Sequence, residues 1–320
     1  MPEQRAEAVL ALLDRFRDRE DLHITRVLGC LVAIGHDDIL AIDRTGALRF
    51  CPLQALLSDK DLEAYVREKM EAFGQFTAAR ELCREHHGVP YGASEMLMYA
   101  LRAGTLDAAV TVCDGAGAVV TDRPAVVQGV GARMNGLFHT SPIPAILSGL
   151  RREGALVFDD AAIDQRRGLA AAAEAGHRRI AVTVNGYHGE GLDDLRADAA
   201  ALGVTLTLLS VCNTGIDRAR AEAIVRDADI AWACASQHLR DLGDRARVQL
   251  TRGIPVFVYT DRGLDLLAGF SDATGAAALR ALDPSRQFLI GGGGGDRIRL
   301  GEHRVGITAC TLPVASPRPP

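Results

Sequence analysis

A chain of 320 residues, 48% hydrophobic and 24% charged, can bury a full core and is too apolar for the disordered class. A net charge of -5 and a pI near 6.0 exclude a general electrostatic footprint for nucleic acid or anionic lipid. No apolar run is long enough to span a bilayer and the charged amino terminus lacks a signal-peptide core, so a cytoplasmic protein without nucleic-acid or membrane partners is expected.

Ala6, Val9, Leu10, Leu13 and Phe16 recur at helical spacing and predict an amphipathic helix over 3–19. Short alternating runs over 23–50, broken at 36–38 and 44–46, predict a small antiparallel meander closed by Cys51 and Pro52. Residues 59–86 read as a long helix or a helix pair broken near Gly74, ending at His86 and His87. A further helix follows Pro90, with Met96, Leu97 and Leu101 on its buried side.

From residue 106 the texture becomes regular. Strand-like runs at 108–112, 155–158, 180–184, 206–211, 230–233 and 256–259 alternate with helix-like runs near 142–152, 164–176, 190–202, 216–227, 236–243 and 262–269. Such alternation implies right-handed crossovers and a mostly parallel sheet, hence an α/β, Rossmann-like layered fold preceded by a small β-meander plus helices. Three parts are expected: a helix and meander over 1–58, an α/β core over 59–270, and an extension over 271–320 with a flexible glycine run at 291–295 and a disordered tail.

The chemistry is expected at the carboxyl ends of the strands, where loops carry polar groups while the sheet holds them still. Cys113 and Asp114, Cys212 with Thr214, and Cys234 each follow an apolar run. The seven cysteines, at 30, 51, 83, 113, 212, 234 and 310, contain no CxxC, so thiols, remote ligands or catalysts are expected rather than disulfides or a zinc ribbon. Two mechanisms fit. In the first, Cys113 is a nucleophile beside Asp114, with His188 or Asp114 moving protons and Glu95 near by. In the second, Cys113, Cys234 and either Cys51 or Cys212 hold three irons of a [4Fe-4S] cluster.

Anion recognition is the second theme. Gly115 and Gly117, then Gly129 and Gly131 with Gln128 and Arg133, offer backbone amides and a guanidinium to a small anion. Ser141 and Pro142 read as the start of a helix that adds free amides. Tyr91, Ser94 and Glu95 stand at another expected helix start.

The strings CPL at Cys51, YGASE at 91–95, VCDGAGAVV at 112–120, VQGVGARMNGL at 127–137, SPIP at 141–144, IDQ at 163–165, NTGI at 213–216 and ACAS at 233–236 resemble the methanogenesis marker protein 8 family over about residues 25–270. The resemblance carries forward Cys51, Tyr91, Ser94, Glu95, Cys113, Asp114, Gln128, Arg133, Asp164, Gln165, Thr214 and Cys234. Cys212 departs from it, because archaeal members carry a histidine there. The arginine- and alanine-rich composition is of a bacterial kind, and some bacteria make coenzyme M (2-mercaptoethanesulfonate), a small thiol sulfonate. The resemblance therefore implies an enzyme of coenzyme M biosynthesis acting on a small sulfonate or carboxylate. Its alternatives are an iron-sulfur protein donating electrons or sulfur, or a non-catalytic accessory of a coenzyme M-dependent enzyme. A chain of this class is often a homodimer.

Overall fold

The computed structural model describes residues 2–35, 38–44, 62–187, 191–291 and 294–315. Helix α1 (Pro2–Arg15) leads into strands β1 (His23–Val27), β2 (Cys30–Ile34) and β3 (Ile39–Asp43), the expected antiparallel meander. Helix α2 (Leu62–Phe73) stops at Gly74, whose φ of 63° suits glycine. An irregular stretch then reaches α3 (Ala93–Arg102). Strands β4 (Ala108–Cys113) and β5 (Gly117–Thr121) form a hairpin, followed by α4 (Pro124–Gly131), β6 (Gly136–Thr140), α5 (Pro144–Arg152) and the short β7 (Leu156–Val157). Helices α6 (Gln165–Glu174), α7 (Leu192–Leu202) and α8 (Arg218–Asp227) alternate with strands β8 (Arg179–Asn185), β9 (Thr205–Val211) and β10 (Ile230–Trp232). The chain closes with α9 (Gln237–Asp241), β11 (Val248–Leu250), β12 (Val256–Val258), α10 (Asp261–Gly269), α11 (Ala273–Arg280), β13 (Phe288–Ile290), β14 (Asp296–Leu300) and β15 (His303–Ala309).

The strands and helices expected from residue 106 onward are all present, but β5, α4, β6, β11, β14 and β15 stand where none was expected, residues 75–86 form no second helix, and strand direction departs from the expectation. The described residues form an 11-stranded sheet in the order β14-β15-β13-β11-β12-β10-β9-β8-β4-β5-β7. Only β13–β11, β10–β9, β9–β8 and β8–β4 pair in parallel, and the other neighbours are antiparallel. The expectation of a mostly parallel, Rossmann-like sheet is therefore corrected to a mixed α/β sheet with a parallel centre. The physical reason lies in the turns. Gly115 and Gly117, at φ 77° and 66°, reverse the chain tightly after β4, and a short link around Gly253 reverses it between β11 and β12. A run of apolar residues buried on both faces does not disclose which way its neighbour points.

Helices cover both faces of this sheet. Met96, Leu97, Leu264, Leu267 and Phe270 from α3 and its neighbours fill one side, and Leu169, Leu195 and Ile224 from α6, α7 and α8 fill the other. A second sheet, in the order β3-β2-β1-β6, joins the meander to β6, which follows β4 and β5 in the chain. Sheet pairings thus cross both expected boundaries, because β6 belongs with residues 23–43 and β13 to β15 complete the large sheet. No helix of the described residues is long and apolar enough to cross a membrane.

Candidate functional site

The parallel centre places the ends of β8, β9 and β10 along one edge. Asn213, fully buried, ties these ends together: its Nδ2 donates to the carbonyls of Ser210 (2.8 Å) and Trp232 (2.9 Å), and its Oδ1 accepts from Ser210 Oγ (2.8 Å). Gly186 lies so close that a Cβ there would stand 1.6 Å from Asn213 Oδ1. One residue on, Thr214 Oγ1 accepts from the Ala235 amide at 3.4 Å. Beside these ties Cys212 and Cys234 both adopt left-handed backbone, at φ 57° and 48°. Cysteine rarely takes this conformation, and surrounding structure must hold it there.

The small sheet faces this edge across a cleft of about 190 Å³, lined by Arg26, Tyr65, Asn185, Cys212, Thr214 and Cys234 among others. Gly136 in β6 allows the close approach, since a Cβ there would stand 3.0 Å from Asn185 Nδ2 and 3.3 Å from Cys212 Cβ. Arg26 spans the two sheets. Its guanidinium carbon lies 3.7 Å from the Tyr187 ring centroid, and one of its amino groups donates to the Thr214 carbonyl at 2.5 Å. Burial, and next the neighbouring Cys234, push the Cys212 thiol up to about 12, while Arg26 and Lys69 favour its thiolate.

Lys69 is the second cation, reached from α2. It is 6% exposed, donates Nζ to the Arg133 carbonyl at 2.6 Å, and burial lowers its pKa to about 8. Tyr65, one turn earlier, puts its ring 5.1 Å from that Nζ and lines the cleft. Lys69 repeats the helical spacing of the buried Leu62 and Val66, a signal present in the sequence. Arg26 had a similar signal, an arginine within an otherwise buried strand.

Of the described residues expected at the site, the structure brings Thr214, Cys212 and Cys234 to the cleft and leaves the others elsewhere. Cys113 is fully buried among Val126, Val130 and Ile143, and burial together with Asp114 keeps its thiol protonated, so it is no exposed nucleophile. Asp114 pairs with Arg80 at 2.8 Å inside the protein and accepts from the Phe76 amide at 2.5 Å. Glu95, fully buried, accepts from the amides of Gly88 (2.8 Å) and Val89 (3.1 Å), from Gln128 Nε2 (2.9 Å) and from Ser94 Oγ (3.0 Å). Those bonds make Glu95, Gln128 and Ser94 an internal lock between α3, α4 and the segment before them. Tyr91 accepts from Trp232 Nε1 at 2.7 Å through its carbonyl, which joins that segment to β10.

The glycine clamp is likewise not assembled. Gly115 and Gly117 form the hairpin turn, where a Cβ on Gly117 would stand 2.1 Å from the Ala161 carbonyl oxygen. Gly129 and Gly131 lie within α4 and let it approach Leu82 and Ser94. Arg133 is exposed, with its guanidinium carbon 5.2 Å from the Phe73 ring centroid, and only its carbonyl points toward Lys69. Ser141 does not cap a helix; its Oγ accepts from the Leu22 amide at 3.0 Å, and α5 starts at Pro144. Asp164 does cap α6, accepting from the Arg167 amide at 2.7 Å, and Gln165 is the first residue of that helix. Cys51 and His188 lie outside the described residues, as do residues 292–293 of the glycine run and the last five residues. Among the described residues no three His, Cys, Asp or Glu side chains stand where they would hold a metal ion.

A family described as an uncharacterized protein conserved in archaea (DUF2099) matches residues 23–269, which include every lining residue named above. An uncharacterized protein of Methanocaldococcus jannaschii, MJ0054, is 30% identical over 259 residues, covering 77% of this chain and 89% of that protein. No solved structure matches the chain. The match runs from β1 to the end of α10, and on that extent the chain belongs to the DUF2099 family of proteins conserved in archaea.

Proposed function

We propose that the chain is an enzyme that takes a small sulfonate or carboxylate into the Arg26 cleft and acts on it with the thiols of Cys212 and Cys234. The observation that carries this reading is the convergence of one guanidinium and two strand-end thiols on a single cleft of about 190 Å³. Clefts for drug-sized ligands run from about 300 Å³ upward, so this volume suits a ligand of a few heavy atoms. A guanidinium is the side chain best matched to a sulfonate or carboxylate, and its contacts with Thr214 and Tyr187 orient it in advance. The motif likeness to methanogenesis marker protein 8 and a relative in a methanogen support coenzyme M biosynthesis as the setting.

Isothermal titration of the reduced protein with coenzyme M, sulfoacetaldehyde and sulfopyruvate tests the proposal. Wild-type protein is expected to bind at least one of them. Arg26→Gln, checked for folding by circular dichroism, is expected to bind about tenfold or more weakly, the loss of one charge-assisted contact. Silence of the wild-type protein with all three sinks the reading. The iron-sulfur alternative would need Cys51 beside Cys212 and Cys234, and stoichiometric iron after anaerobic reconstitution would favour it over the thiol enzyme.

A further inference from the structure

We infer that Cys212 and Cys234 are a reversible dithiol–disulfide pair that exchanges with a small disulfide entering the cleft. The pair is set by the backbone. β9 and β10 run in parallel with Ile230 opposite Leu209 and Ala231 opposite Ser210, which carries Cys212 to the level of Ala233, one residue before Cys234. Neighbouring strands lie about 4.8 Å apart, and a disulfide needs Cα atoms about 4.4–6.8 Å apart. Two hydrogen bonds tie the loops together beside the pair, from Asn213 to the Trp232 carbonyl at 2.9 Å and from the Ala235 amide to Thr214 at 3.4 Å; they flank Cys234 and follow directly after Cys212. Neither cysteine is in a disulfide, both are partly exposed, and both line the same cleft.

The shared left-handed backbone is the second, independent sign. Both residues are held at positive φ, 57° and 48°, on adjacent strand ends, and that strained backbone fixes where their Cβ atoms project. Cys113, three strands from β10 in the same sheet, has no such backbone and no access to the cleft. Burial and the neighbouring Cys234 push the Cys212 thiol up, and Arg26 and Lys69 are the opposing cations that favour its thiolate, the form that attacks a disulfide.

In the exchange, one thiolate attacks a sulfur of the incoming disulfide. A mixed disulfide forms, the incoming S–S bond breaks, and the first small thiol leaves. The second cysteine then attacks its protein-bound partner sulfur, forming the Cys212–Cys234 bond and releasing the second small thiol. The two protons lost by the cysteines end on the two thiols released. The protein is oxidised by two electrons and the incoming disulfide is reduced by two, so excess small thiol reverses both steps.

Reduced wild-type protein is equilibrated with bis(2-hydroxyethyl) disulfide, a probe small enough for the cleft, quenched in acid, alkylated and mapped by mass spectrometry. A peptide pair joining Cys212 to Cys234 is expected, with the intact protein lighter by two hydrogens, and excess 2-mercaptoethanol restores both thiols. Cys212→Ser and Cys234→Ser are each expected to stop at a mercaptoethanol adduct on the remaining cysteine. Wild-type protein in which both thiols stay alkylatable, or in which a mercaptoethanol adduct persists without closing, overturns the inference. The anion titration uses reduced protein and reads no sulfur chemistry, so failure of this pair and failure of the anion reading are separate results.

Discussion

Lys69 occupies the third of three buried positions on α2, after Leu62 and Val66, and its amine titrates well below an ordinary lysine because of where it sits. Burial lowers its pKa from 10.5 to about 8, so between those values the unfolded chain binds a proton that the folded chain does not. Stability therefore rises with pH through that window, and the full penalty is present below about 8. Lys69→Met is expected to stabilise the protein at pH 7 by on the order of 1–3 kcal/mol, partly offset by the lost bond to the Arg133 carbonyl. Urea midpoints measured from pH 7 to 10.5 should show the gap between variant and wild type closing. A gap that stays constant across that range would mean the charge is not the cause. Cysteine offers the complementary lesson at this scale. Cys113, Cys212 and Cys234 all follow apolar strands, yet only the last two reach the cleft, because Cys113 is enclosed by Val126, Val130 and Ile143. Residue type and strand-end position were legible in the sequence. Accessibility was not, since it depends on what packs against the strand from far along the chain.

At the scale of elements, glycine is where pattern and structure part. The pairs at 115 and 117 and at 129 and 131 look alike as strings, but the first closes a hairpin and the second lies inside helix α4. Glycine in a helix normally costs about 1 kcal/mol against alanine, so Gly129→Ala would stabilise an isolated α4. Here a Cβ would stand 2.2 Å from the Leu82 carbonyl oxygen, and backbone cannot move aside cheaply. The variant is expected to lose about 1–3 kcal/mol, read as a lower Tm in a thermal melt. An unchanged or raised Tm would show that the segment at Leu82 yields. Helix starts, by contrast, are set locally: Asp164, Asp217, Thr260 and Asp272 each cap the amino end of a helix by accepting from the amide three residues on. Those bonds are local, and local chemistry is what a sequence displays.

The whole molecule joins parts that the sequence separates. A boundary at residue 270 follows a real change of texture, yet β13 pairs with β11 and buries Phe288, Leu289 and Ile290. Gln249 also exchanges two hydrogen bonds with the backbone of Val314, at 2.8 and 2.9 Å. A fragment of residues 1–270 would leave the β11 edge unpaired and its apolar face open to water. It is expected to lose cooperative unfolding in urea, whereas a fragment with a sharp transition like the full chain would show the extension to be dispensable.

The sequence by itself determined most of the helices and strands of the parallel centre, that both faces of the large sheet are covered, and that thiols stand at the ends of strands, because periodicity and burial preference are written within a few residues of each position. Tertiary structure alone decided the direction of the strands, the hairpin partner β5, the union of β6 with the meander, and the meeting of Arg26, Cys212 and Cys234 around one cleft. Arg26 and Cys234 meet where the small sheet faces the edge of the large one, and no local rule relates residues so far apart in the chain.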